Sequence, residues 1–78
     1  MKTVSSKTPC IVYKGDKEIA KGPFGPVCKM LFAHGIIQCF PDKCFTKLDN
    51  KTMTEDWSKI AHYMDELLEE GFTLELQD

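Results

Sequence analysis

The sequence predicts a small α+β domain, and three observations carry that prediction. Trp57, Ile60, Ala61, Met64, Leu67 and Leu68 follow the three-and-four spacing of one helical face. Phe72, Leu74 and Leu76 alternate with Thr73, Glu75 and Gln77, the period of a strand with one buried side. Cys10-Ile11-Val12-Tyr13 and Glu18-Ile19-Ala20-Lys21 flank Lys14-Gly15-Asp16-Lys17, where Gly-Asp suits a two-residue hairpin turn with positive φ at its first position.

Between these signals the chain reads as follows. Residues 1–8 read as a flexible tail, and 9–78 as one domain. Gly22-Pro23-Phe24-Gly25-Pro26 is a connector with a proline where a helix can begin. From Val27 to Ala33 the residues are mostly apolar, with His34 and Gly35 after them, which fits a short helix ended by glycine. Ile36 to Phe40 and Cys44 to Leu48 are rich in β-formers and separated by Pro41-Asp42-Lys43, so a second hairpin is expected. Asp49-Asn50-Lys51 is a polar break. Thr52 with Glu55 offers a capping box for the C-terminal helix, Thr54 is an equivalent N-cap, and Gly71 supplies its stop. The expected order is ββ-α-ββ-α-β, an antiparallel sheet of about five strands against one long amphipathic and one short helix. Two helices leave part of the sheet uncovered, so one face is expected to stay open or to meet a partner.

A chain of 78 residues holds one core, and its stability falls on the order of 4–12 kcal/mol. The tail has no apolar stretch of signal-peptide length, and no window approaches the ~18 apolar residues of a membrane span. A cytoplasmic, reducing location without membrane contact is therefore expected, and in it four cysteines imply free thiols or a metal site rather than disulfides.

The chemistry-bearing residues are sparse. Cys10, Cys28, Cys39 and Cys44, with His34 and His62, include one close pair of zinc-type spacing, Cys39-x4-Cys44. Across a hairpin these two would face each other, with Cys10, Cys28 or His34 completing a small structural zinc module; the plainer reading is that buried cysteines act as small apolar side chains. No nucleophile motif surrounds any cysteine, and the Gly-Pro segment lacks the Gly-Lys-Ser/Thr of a phosphate loop. No catalytic residue, resident metal or cofactor is expected.

Charge is more informative. All ten basic residues are lysine, and with no arginine the chain lacks the side chain best suited to bidentate contacts with guanine or phosphate. Residues 1–52 carry nine lysines against four acids, a net +5, while residues 53–78 carry one lysine against eight acids, a net −7. Asp65, Glu66, Glu69 and Glu70 lie at the expected C-terminal end of the long helix, where the dipole disfavours anions. They call for lysine partners within the chain or for a basic external surface. His62, four residues before Glu66, is placed to pair with it.

The functional expectation is a non-enzymatic protein-binding or inhibitory module, with Asp65, Glu66, Glu69, Glu70 and His62 facing a basic protein partner. A phage or mobile-element factor that contacts host proteins fits the small size and the absence of arginine. Alternatives are the zinc module, a homodimer formed through an open sheet face or edge, and non-specific nucleic-acid binding by Lys2, Lys7, Lys14, Lys17 and Lys21. The acidic second half and the missing arginine make nucleic acid the less expected partner.

Overall fold

A computed structural model of the chain describes residues 4–47 and 53–77. The expected α+β class and the order of its parts are present: β1 (Pro9–Lys14), β2 (Lys17–Pro23), α1 (Phe24–Ala33), a 3-10 turn (Asp42–Cys44), β3 (Phe45–Lys47), β4 (Met53–Glu55), α2 (Trp57–His62), α3 (Met64–Leu67) and β5 (Phe72–Leu76). The five strands divide into two antiparallel sheets, β2-β1-β5 and β3-β4.

The first hairpin forms where the sequence puts it. Lys14 pairs with Lys17 across Gly15-Asp16, and Gly15 takes φ +61°, which an L-residue adopts only at a cost. A bulge between Val12 and Tyr13 leaves Ile19 outside the pairing and 40% exposed. The central strand β1 turns Cys10 and Val12 into the core, opposite Leu76 and Leu74 of β5. By alternation its other face carries Ile11 and Tyr13, half-buried, next to Lys21, Glu18, Thr73 and Glu75. That face is polar around a narrow apolar centre.

Helix α1 starts three residues earlier than Val27. Its first turn is held by the preceding chain, with the Phe24 N–H donating to Thr8 C=O (2.8 Å) and the Gly25 N–H to Ser6 C=O (2.8 Å). A Cβ on Gly25 would lie 2.8 Å from the Ser6 Cβ, so only glycine admits this approach. Of the segment read as a tail, residues 4–8 are thus docked on α1, with Val4 packed against the core. The helix ends as expected, with His34 as C-cap and Gly35 at φ +74°.

The expected strand Ile36–Phe40 is not formed. Ile36 and Ile37 both donate to Leu31 C=O (2.9 and 3.4 Å), wrapping the chain around the end of α1 so that Ile37 enters the core. Pro41 then begins a 3-10 turn, closed by the Cys44 N–H to Pro41 C=O (2.9 Å), where a hairpin tip was expected. Phe45–Lys47 pairs with Met53–Glu55 instead.

The C-terminal helix differs most. Its N-cap is Asp56, whose carboxylate accepts from the Lys59 N–H (3.2 Å) and from the Thr46 hydroxyl (2.7 Å). Thr54 lies in β4, and Thr52, with the break at 49–51, lies outside the described residues. The helix then breaks at Tyr63 (φ −95°, ψ 5°), giving the short pair α2 and α3, so that α1 is the longest helix. His62 and Tyr63 are weak helix formers, and the break still leaves Ile60, Met64 and Leu68 buried on one side. Leu68 leaves helical geometry because the Glu69 N–H is taken by Ile36 C=O (2.9 Å). Gly71, at φ +92°, serves the turn into β5, where the Phe72 N–H donates to Glu69 C=O (3.2 Å), and does not cap a helix.

The core is one cluster of Cys10, Val12, Phe24, Val27, Cys28, Leu31, Ile37, Cys44, Ile60, Met64 and Leu68. Phe24 and Trp57 meet edge to face, with centroids 5.5 Å apart at 63°, and link the start of α1 to the start of α2. No helix among the described residues is long and apolar enough to cross a membrane.

The Thr46 hydroxyl, and next the Lys59 amide, hold the Asp56 carboxyl below the ordinary aspartate range. A lowered folded-state pKa adds stability that is present above the unfolded pKa and lost as pH falls through the folded one. Asp56→Ala is therefore expected to lower the Tm at neutral pH, with the gap from wild type narrowing below about pH 4. Thermal melts across pH check this; a gap independent of pH would mean that the carboxylate charge is not what caps α2.

Candidate functional site

The acidic residues singled out in the sequence are all exposed, but they do not share a helical face. Asp65 and Glu66 occupy the first turn of α3, the helix end at which the dipole favours carboxylates, and Glu69 and Glu70 lie in the turn that follows it. The break at Tyr63 removes the expected clash between these charges and the dipole of a long helix.

The fold nonetheless gathers three of the four. An open groove of about 320 Å³ runs between the chain leaving α1 and the α3–β5 connection, lined by Gln38, Cys39, Glu66, Leu67, Leu68, Glu69 and Glu70. The Glu69 N–H to Ile36 C=O bond ties its two walls together. Asp65 and His62 are not among its lining residues. His62 is exposed, at the end of α2, with its ring edge-on to Tyr63 (4.8 Å, 80°). The expected His62–Glu66 pair is not formed among the described residues.

Glu66 is met instead by Lys43, reaching across from the 3-10 turn. The Lys43 ammonium lies 3.4 Å from Glu66 Oε2 and 3.9 Å from the centroid of the Tyr63 ring, so a carboxylate and an aromatic face hold one cation. Both partners of the ion pair keep half or more of their side-chain exposure (50% and 68%), so it adds little to stability. Its value is chemical: it shows how this surface grips a lysine. Among the described residues no such pair engages Glu69 or Glu70. Among the described residues, lysine partners within the chain, one of the two expected resolutions, thus meet one groove carboxylate of three.

Gln38, Lys43 and Tyr63 are site residues that the sequence does not indicate, and Cys39, a zinc-ligand candidate in the sequence, lines the groove instead. Gln38 and Cys39 fall within the expected strand Ile36–Phe40, and only the wrapping of Ile36–Ile37 around α1 brings them against the α3–β5 connection.

The cysteines do not assemble. Cys10, Cys28 and Cys44 are buried and free, whereas Cys39 is exposed in the groove. Cys39 and Cys44 do not face each other across a hairpin, because 36–40 is not a strand. Among the described residues no three His, Cys, Asp or Glu side chains converge as a metal site would require. Burial pushes the Cys10 thiol up to about 11; burial, and then the neighbouring Cys10, push Cys28 up to about 12; burial also raises Cys44. A nucleophilic thiol requires the opposite shift.

Comparison with protein-family models, with curated proteins and with solved structures finds no match for this chain.

One thiol, that of Cys39, is expected to react with a disulfide reagent in the native protein near neutral pH, and all four after denaturation. Mass spectrometry of the labelled protein counts them; rapid native labelling of Cys10 or Cys28 would contradict the buried placement.

Proposed function

We propose that the chain is a non-enzymatic protein-binding module, regulatory or inhibitory in role, whose acid-lined groove takes a lysine- or arginine-rich segment of a partner protein. The observation that carries this reading is the convergence of Glu66, Glu69 and Glu70 on one open groove, beside a lysine already held between carboxylate and ring. A partner's cations would meet the two remaining carboxylates by the same chemistry and with little reorganisation. Such a surface gains mostly in association rate and selectivity, and it repels phosphate backbones. The raised thiol pKa values support a binding role over thiol catalysis, and the unpaired cysteines accord with a reducing cytoplasm. Asp65 and His62 flank the groove-lining residues in sequence and extend the charged surface rather than forming the grip.

The test is fluorescence anisotropy with a labelled oligoarginine peptide. Binding is expected to weaken as ionic strength rises from about 0.05 to about 0.3 M, as the Debye length shortens. Reversing Glu69→Lys together with Glu70→Lys is expected to reduce affinity by on the order of tenfold or more, while these exposed positions leave the Tm nearly unchanged. Equal binding by wild type and the double variant would remove the groove as the site.

A further inference from the structure

A second depression, of about 220 Å³, is lined in part by Phe40, the residue after the groove's Cys39, and its chemistry differs. Two of its walls are the Phe40 and Trp57 rings, which stand nearly perpendicular (78°) with centroids 6.5 Å apart and so form a corner. Phe32, on the last turn of α1, supplies a third apolar wall and is 52% exposed, a large aromatic surface left in water. Buried Cys28 lies behind, and Lys29 and Glu55 are the charged residues among its lining.

Three properties point to one kind of occupant. The volume is below the roughly 300–1,000 Å³ of small-molecule sites, so it suits a single large side chain rather than a cofactor. The two charged lining residues are of opposite sign, which leaves no net preference for an ion and favours a neutral apolar group. The pocket is also next to the groove in the chain itself. Cys39 lines the groove and Phe40 lines the pocket, and consecutive Cα atoms are only about 3.8 Å apart. The two depressions therefore share one stretch of wall, and an extended segment with its cations over Glu69 and Glu70 can continue along residues 38–40 toward the pocket.

We infer that the partner segment is bipartite: a lysine- or arginine-rich stretch with one bulky apolar side chain, of the Leu or Phe kind, that inserts between Phe32, Phe40 and Trp57. The inference rests on the groove reading and names its ligand more closely. The groove supplies rate and charge selection, and the pocket supplies the desolvated anchor on which affinity concentrates.

Trp57 is the chain's single tryptophan, so its emission reports the pocket directly. The experiment uses the whole protein and a set of lysine-rich peptides in which one Leu is moved along the sequence, each paired with its Leu→Ala version. The best Leu peptide is expected to bind on the order of tenfold more tightly than its Ala partner. It should also change Trp57 emission, which the Ala peptide leaves unmoved. Phe32→Ala, at an exposed position, is expected to erase the difference between the two peptides without changing binding of the Ala peptide; circular dichroism checks that the variant is folded. Equal binding of every Leu and Ala pair, with silent Trp57, would overturn the pocket inference and leave the groove reading standing. Failure of all the peptides to bind at low salt would overturn both.

Discussion

The edge-on contact between Phe24 and Trp57 is the joint on which the rest of the structure depends. Phe24 is fully buried and opens α1 directly after the three-stranded sheet; Trp57 opens α2 directly after the two-stranded one. Two small sheets share no backbone pairing, so side-chain packing must hold them in one body, and this aromatic pair lies at their junction. From that point α2 and α3 run with Ile60, Met64 and Leu68 turned into the common core. The chain leaving α1 is drawn in by Ile37 and meets the α3–β5 connection at the Glu69–Ile36 hydrogen bond. The groove is the seam left where those two segments come together. The outer side of the same tryptophan forms part of the neighbouring pocket. A loss of this contact would therefore disturb both depressions together with the core.

The electrostatics follow from the same path. Broken at Tyr63, the C-terminal helix does not build one long dipole behind its acidic residues. Asp65 and Glu66 begin a helix, and Glu69 and Glu70 sit in a turn open to water. Carboxylates are tolerated there without buried partners, because exposed like charges are screened and well solvated. The surface can thus stay acidic at small cost to a domain with little stability in reserve. The net charges of the two parts of the chain are opposite, and Lys43 on Glu66 is the described contact between them at this site.

Legibility in the sequence tracked how local each determinant is. The first hairpin rests on Gly15-Asp16, the end of α1 on His34-Gly35 and β5 on strict alternation; each is a few adjacent residues, and each forms where expected. The stripe of Ile60, Met64 and Leu68 is also buried as its spacing implies. What failed is non-local. Ile36–Phe40 has the composition of a strand, but its backbone is claimed by Leu31 C=O and by Glu69. The helix expected to reach Gly71 stops early for the same reason, since the Glu69 N–H is bonded to Ile36, whereas its break at Tyr63 falls at weak helix formers. At the site, the carboxylates were visible as a cluster, although the helix-end argument that first marked them does not hold. The groove position of Cys39, the Lys43 contact and the aromatic pocket are not legible in the sequence, because each depends on segments from two or three parts of the chain meeting.

The central claim is that the seam between residues 36–40 and 66–70 is where this domain meets a basic partner. The most direct test is a titration of isotopically labelled protein with a lysine-rich peptide, followed residue by residue in amide correlation spectra. The account predicts saturable, salt-sensitive shifts concentrated at Gln38, Cys39 and Glu66–Glu70, with the amides of Ile11, Tyr13 and Lys21 on the outer sheet face unmoved. Shifts centred on that sheet face, or none at low ionic strength, would contradict it.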